Sequence, residues 1–290
     1  MLNLSLINTL IAVMDTGSFG AAAIKLGITQ PTVSQHIRRL ETLIGVALFI
    51  RGTTRTRPTK SAITIMPHAR AMLSINERLF QAAHDQRLII GASSNIGTYL
   101  LQPIIRQWLQ SGRRCDMIIR SNRDIAGLLD TGQIDIGLME WWDNREGFNW
   151  TCWCEEELVV VVPPEHPWAE LAEIEPQRLC DEPLLGGESG TGTGRLLTAY
   201  LARSGLLPKI GMTFSNTEAV KRAIMHGTGI SLLLRRTIAE EVNVGLLKTV
   251  PLADGGLHKN LYAIWRQQSI DENRDIHRFR KLLQQDANVA

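Results

Sequence analysis

Five side chains between residues 30 and 38 have the chemistry to read a nucleic acid: Gln30, Thr32, Ser34, Gln35 and Arg38. A glutamine amide can bond twice to adenine and a guanidinium twice to guanine, while hydroxyls serve any base. Arg39 follows at once, and Arg51, Arg55 and Arg57 stand a short way on, with Gly52 and Pro58 among them. That group suits a short β-wing whose arginines meet phosphates, contacts that hold a protein on DNA without reading its sequence. A second set offers different chemistry. Ser93, Ser94 and Asn95, then Ser121 and Asn122, then the GESGTGTG run, then Ser215, Asn216 and Thr217 each follow an apolar stretch. Short hydroxyl and amide side chains beside free backbone N–H groups at strand-to-helix corners make anion sites. With little fixed positive charge among them, these corners favour a small anion.

Helices must present the first set. Ser18 is placed to cap a helix over 19–26 that carries Ala21, Ala22 and Ala23, and Gly27 lets the chain leave it. Thr29 caps the next helix, 30–44, with Pro31 in its first turn, where no needed hydrogen bond is lost. Val33, Ile37, Leu40 and Ile44 form an inward stripe, which leaves Thr32, Ser34, Gln35, Arg38 and Arg39 pointing outward. Two such helices behind a first helix over 3–15 suit the major groove. Charge agrees. Residues 1–60 hold seven basic side chains against two acidic ones, a net +5 within a chain of net +2.

Thr59 is placed to cap a long helix bearing Ile63, Met66, Ala69, Leu73, Asn76 and Phe80 on one face, with a bend expected at Pro67. A helix of this length needs a partner for its apolar stripe, and an antiparallel twin from a second copy supplies one. From residue 88 short apolar strands alternate with helices, which predicts a parallel sheet in an α/β domain. The segment ELVVVVPPEHP is expected to cross between two lobes, and LYAIWR to return.

Composition narrows the rest. The 290 residues are 44% hydrophobic and 21% charged, which suits about two soluble domains. No apolar run approaches the ~20 residues a membrane span needs, and the N-terminal stretch lacks a basic start, so a cytoplasmic location is expected. Four cysteines make no disulfide framework in so long a chain, and no zinc spacing accompanies them. Cys152 and Cys154 are expected to share one face of a strand, where a redox sensor would be the alternative to incidental thiols. No lysine lies between 61 and 208, so GGESGTGTG is no ATP loop. No nucleophile elbow is present, so no enzyme, cofactor or metal site is expected. Trp141, Trp142, Trp150 and Trp153 crowd near Phe148, either walling a cleft or packing a lobe edge.

Leu10 and Val13, followed by GSFGAAA, ITQPTVSQHIRRLE and LFIRGTTRTRPT, closely resemble the N-terminal domain of LysR-type transcriptional regulators, and the resemblance covers nearly all 290 residues. It implies an all-α winged helix-turn-helix over 1–58 and a linker or dimerisation helix over 59–87. A two-lobed, periplasmic-binding-protein-like α/β effector domain over 88–290 would follow, with lobe I about 88–162 and 266–290 and lobe II about 163–265. It also implies dimers or tetramers, with double-stranded DNA, a small-molecule effector and RNA polymerase as partners. Ser18, Thr29 and Pro31 then join the DNA contacts. The effector cleft maps to Ser93, Ser94, Ser121, Glu188, Ser189, Gly190, Thr191 and Thr217, with Asn95 and Asn122 beside them. One departure stands out: SGTGTGR replaces the frequent GSGTR, displacing Arg195. The rival readings are a redox regulator acting through Cys152 and Cys154, and a small-molecule-binding module or enzyme whose first helices only oligomerise.

Overall fold

The computed structural model describes residues 2–50, 56–84, 87–186, 192–253, 255–267 and 274–287. They form two compact units: residues 1–87 with 127–133, and residues 88–126 with 134–290.

The first unit begins with α1 (Leu4–Thr16), α2 (Phe19–Leu26) and α3 (Gln30–Ile44). Ser18 accepts from Ala21 N and Thr29 from Thr32 N, the caps their sequence positions predict. Gly17, Gly27 and Gly45 end the three helices at φ 67°, 65° and 80°, a left-handed region open to residues without a Cβ. A two-stranded wing follows, β1 (Phe49–Ile50) with β2 (Arg57–Pro58), then α4 (Lys60–His84), capped by Thr59. The helix runs on through an exposed Pro67. Val33, Ile37 and Leu40 are buried with Leu10 and Val13, but Ile44 is 37% exposed. The expected inward stripe stops short at Ile44, the last helical residue, which does not join this core. On α4, Met66, Ala69 and Leu73 pack on this core, whereas Ile63 and Phe80 lie exposed with Met72, Ile75 and Leu79.

Beyond α4 the chain forms β3 (Arg87–Ser93), a π-helical turn Ile96–Leu100, α5 (Gln102–Gln110), β4 (Arg114–Arg120), α6 (Asn122–Asp130), β5 (Ile136–Met139) and β6 (Phe148–Val162). It continues with β7 (Leu184–Leu185), α7 (Gly192–Ala202), β8 (Ile210–Met212), α8 (Thr217–Met225), β9 (Ser231–Leu234), α9 (Ala239–Asn243), β10 (Lys248–Val250), β11 (Leu257–Arg266) and α10 (Arg274–Ala287). The main sheet is mixed rather than parallel. β3 and β5 run parallel, but β11 is antiparallel to both β5 and β6, and β6 is antiparallel to β9 and β10. The reason is that β6 and β11 are long strands passing between lobes in opposite directions. Trp153 and Cys154 of β6 belong to a core with Trp108 and Phe279, whereas Leu158, Val160 and Val162 pack with Leu179 and Leu197. Residues 158–162, expected in lobe I, thus help build the core of lobe II.

A register shift in the β6–β11 ladder pairs Leu261 with Cys154 and Tyr262 with Cys152, leaving Trp153 as the extra residue. This bulge overturns the expected shared face: Cys152 is exposed and Cys154 buried.

Candidate DNA-reading surface and effector cavity

The outer face of α3 presents Gln30, Pro31, Gln35, Arg38 and Arg39 as exposed side chains, with Thr32 and Ser34 half-buried beside them. Thr32 Oγ1 lies 2.8 Å from Thr29 Oγ1, so part of its bonding capacity is spent on the helix start. Ser18 is exposed at the cap of α2, and Arg57 is exposed on the wing; Arg51 and Arg55 lie outside the described residues. One residue missed from sequence holds the wing in place. Glu41 Oε1 accepts from the Leu48 and Phe49 amides at 2.8 and 3.3 Å, so a counted negative charge is in fact a cap. Asp15 accepts from Lys25 at 3.2 Å and Arg70 at 2.5 Å, tying α1 to α2 and α4. Burial alone would raise its carboxyl, but these two cations hold it below the ordinary aspartate value.

The second unit contains a half-open cavity of about 540 Å³, within the range of small-molecule sites. Ser93, Ser94, Asn95, Ser121, Asn122 and Thr217 all line it; Glu188, Ser189, Gly190 and Thr191 lie outside the described residues. Several of these side chains are committed to one another or to the frame. Thr217 Oγ1 donates to Asn95 Oδ1 at 2.6 Å, Ser93 Oγ donates to Glu140 at 3.2 Å, and Ser121 caps α6 through Asp124 N. Asn122 braces the loop after β5, accepting from Glu140 N at 2.9 Å and donating to the Trp141 carbonyl at 3.0 Å. Ser94 is the exposed hydroxyl of the β3 corner.

Sequence reasoning found hydroxyls and missed the charges. Arg123, Arg145 and Arg195 reach the cavity wall, so fixed positive charge is present after all. Arg195 stacks 4.4 Å above the Trp141 ring, which gives that tryptophan a place in the wall. Arg145 bonds to Asp143 at 2.9 Å. Arg123 follows Asn122 directly and Arg195 closes the glycine-rich run, and both adjacencies were visible in the sequence. Lys259, 3% exposed, donates to Glu140 at 2.5 Å and to Thr193 at 3.0 Å, joining the end of β5 to the start of α7 through β11. Beside the cavity Tyr99 donates to Glu218 at 2.5 Å. Burial, then this carboxylate, pushes the phenol up to about 12. Lys221 lies 4.7 Å over the same ring and bonds to Glu218 and Glu241.

Cysteine chemistry does not favour the redox alternative. All four cysteines are free, and burial, then the Glu156 carboxylate, pushes the Cys154 thiol up to about 12. Burial also raises Cys152. Redox sensors need low-pKa thiolates. Among the described residues there is no cluster fit to hold a metal and no helix long and apolar enough to cross a membrane.

A basic helix-turn-helix with a wing, and a mixed-sheet unit with a cavity lined by both polar and apolar side chains, define a ligand-responsive transcription factor. Residues 4–62 match the bacterial regulatory helix-turn-helix protein, lysR family, and residues 81–288 match the LysR substrate binding domain. The chain belongs to the LysR family of transcriptional regulators. It is 46% identical over 196 residues to a Stutzerimonas stutzeri protein named as the HTH-type transcriptional regulator PtxE, covering 67% of this chain and 100% of that one. It is 32% identical over 244 residues to the HTH-type transcriptional regulator CysL of Bacillus subtilis, with 81% and 82% covered. The full-length structure of CbnR in complex with its target DNA superposes with a TM-score of 0.74 at 18% identity, covering 99% of this chain and 100% of that one.

Proposed function

We propose that this regulator reads double-stranded DNA with the outer face of α3, holds phosphates with the wing arginines, and is switched by a small anionic effector in the 88–290 cavity. The observation that carries the effector reading is the cavity wall itself, where Arg123 and Arg195 stand among the Ser94, Asn95 and Thr217 corners. Guanidinium groups and hydroxyls converging on one cavity whose remaining wall is apolar, with Leu185, Phe214 and Val220, suit a small oxyanion or carboxylate. The chain acts in the cytoplasm as a binding protein rather than an enzyme, with functional borders near residues 58 and 87. The exposed apolar side of α4 pairs with a second copy, which sets two α3 helices on a two-fold operator. An effector shifts DNA binding or transcription only by binding two arrangements with different affinity.

Thermal melts of the full chain against inorganic oxyanions and small carboxylates test the effector reading, because a ligand that binds the folded state raises the melting temperature. One class should stabilise the second unit, and Arg195→Ala should remove that shift while operator binding persists. A shift undiminished by Arg195→Ala and by Ser94→Ala would place the effector elsewhere. On the DNA side, Gln35→Ala should lower discrimination at one base position by ~1–3 kcal/mol. Arg57→Ala should weaken all sequences alike and reduce the salt slope by about one. Gel retardation on specific and scrambled duplexes at two salt concentrations separates the two roles. Equal losses on both duplexes for Gln35→Ala would sink its role in base reading.

A further inference from the structure

The proton inventory around Thr9 leads to one more DNA contact. Thr9, on α1, is 1% exposed, and its Oγ1 lies 2.7 Å from the Ser5 carbonyl oxygen and 2.8 Å from His36 Nδ1 on α3. A hydroxyl has one proton to give. Two oxygens 2.7 Å apart require that proton between them, so Thr9 donates to Ser5 and must accept from the imidazole. His36 Nδ1 therefore carries a hydrogen. In the neutral ring Nε2 is then a bare acceptor; in the charged ring it is a second donor.

The bond from Nδ1 to α1 turns the opposite edge of this half-buried ring, with Nε2, away from Thr9. Thr32, one turn earlier, and Arg39, three residues later, share that flank of α3. Nearby carboxylates are already committed. The charged side chain of α1, Asp15, is held by Lys25 of α2 and Arg70 of α4, and on α3 itself Glu41 is held by the wing amides, with Arg38 and Arg39 the other charges. Among the described residues of α1 and α3 these are the only carboxylates, and a DNA phosphate is an anion of the kind a protonated imidazole binds. Resting on the reading of α3 as the recognition helix, we infer that His36 is a further DNA-contacting residue. Its Nδ1–H anchors α3 on Thr9, and its Nε2, once protonated, donates to a backbone phosphate.

Full-length protein and a duplex from upstream of its own coding region test this between pH ~8 and pH ~5.5, a range that spans histidine titration. Wild-type affinity should rise roughly tenfold as pH falls, and the salt slope should grow by about one. His36→Gln keeps an N–H for Thr9 without a titrating charge. Its affinity should match the wild type at high pH and stay flat below. Thr9→Ser should behave as wild type, and Thr9→Val should weaken binding at every pH. A flat wild-type profile, or a His36→Gln profile that follows the wild type, overturns the contact. Wild type that fails to bind any duplex overturns the DNA reading instead. Histidine-selective ¹⁵N spectra of the unaltered protein give a readout independent of variant folding: neutral His36 must carry its proton on Nδ1, and an Nε2–H tautomer refutes the proposal.

Discussion

Lys221→Met should destabilise the 88–290 unit by about 1–3 kcal/mol, the cost of leaving the largely buried Glu241 carboxylate without its cation. The Lys221 side chain is 3% exposed, and its ammonium touches Glu218 at 2.6 Å, Glu241 at 2.7 Å and the Thr237 carbonyl at 3.1 Å. Burial alone would pull this ammonium down, but Glu218 and Glu241 hold it above the ordinary lysine value. Its contribution is therefore complete below the unfolded lysine range and is lost as pH rises through the higher folded value. Glu218 behaves oppositely: burial would raise it, but bonds from Lys221 and Tyr99 hold it below the ordinary glutamate value. That contribution is present above the unfolded glutamate range, near pH ~4.3, and is lost as pH falls. Denaturant titrations at pH ~7 and pH ~4 should show the wild-type advantage shrinking in acid. An advantage below about 1 kcal/mol at neutral pH would show that water, not the carboxylates, satisfies Lys221.

Ile37→Ala should cost about 2–5 kcal/mol in the first unit, by lost transfer energy and the cavity left behind. Ile37 is 1% exposed among Leu10, Val33 and Leu40, on the side of α3 opposite the exposed Gln35 and Arg38. A small domain has ~5–15 kcal/mol in all, so this change should leave a large fraction of the heads unfolded near 37 °C and abolish DNA retardation. The second unit should keep its melting transition and any anion-induced shift. Arg39→Ala, which alters an exposed side chain on the same helix, should move stability by no more than about 0.5 kcal/mol. If Ile37→Ala melts like wild type, α3 is held by something other than the packing seen here.

The head was legible because its signals are local. Ser18 and Thr29 as caps, Pro31 in a first turn and Gly27 at a helix exit constrain their own neighbourhoods, and each does in the fold what its position announced. Features set by distant partners were not. Glu41 caps amides seven and eight residues away, and nothing beside it marks that duty. Ile44 fits the periodic stripe, yet periodicity says nothing about where the core ends. In the second unit the corners at Ser93, Ser121 and Thr217 could be found because strand, hydroxyl and helix follow in sequence. Lys259 and Glu140 could not, since their bond joins positions 119 residues apart. The Trp153 bulge depends on its pairing with β11, and no alternation rule foresees it.

The shared strand β6 has a mechanical corollary. A polypeptide threaded through two hydrophobic cores cannot leave one without loosening its grip on the other, so the two halves of this unit should melt together. Between the cores lies the short stretch around Glu155 and Glu156, opposite Lys259 and Asn260. Lys259, lying in that stretch and bonded to Glu140, connects it directly to the cavity wall. An occupant that displaced Glu140 would therefore pull on the strand pair common to both cores.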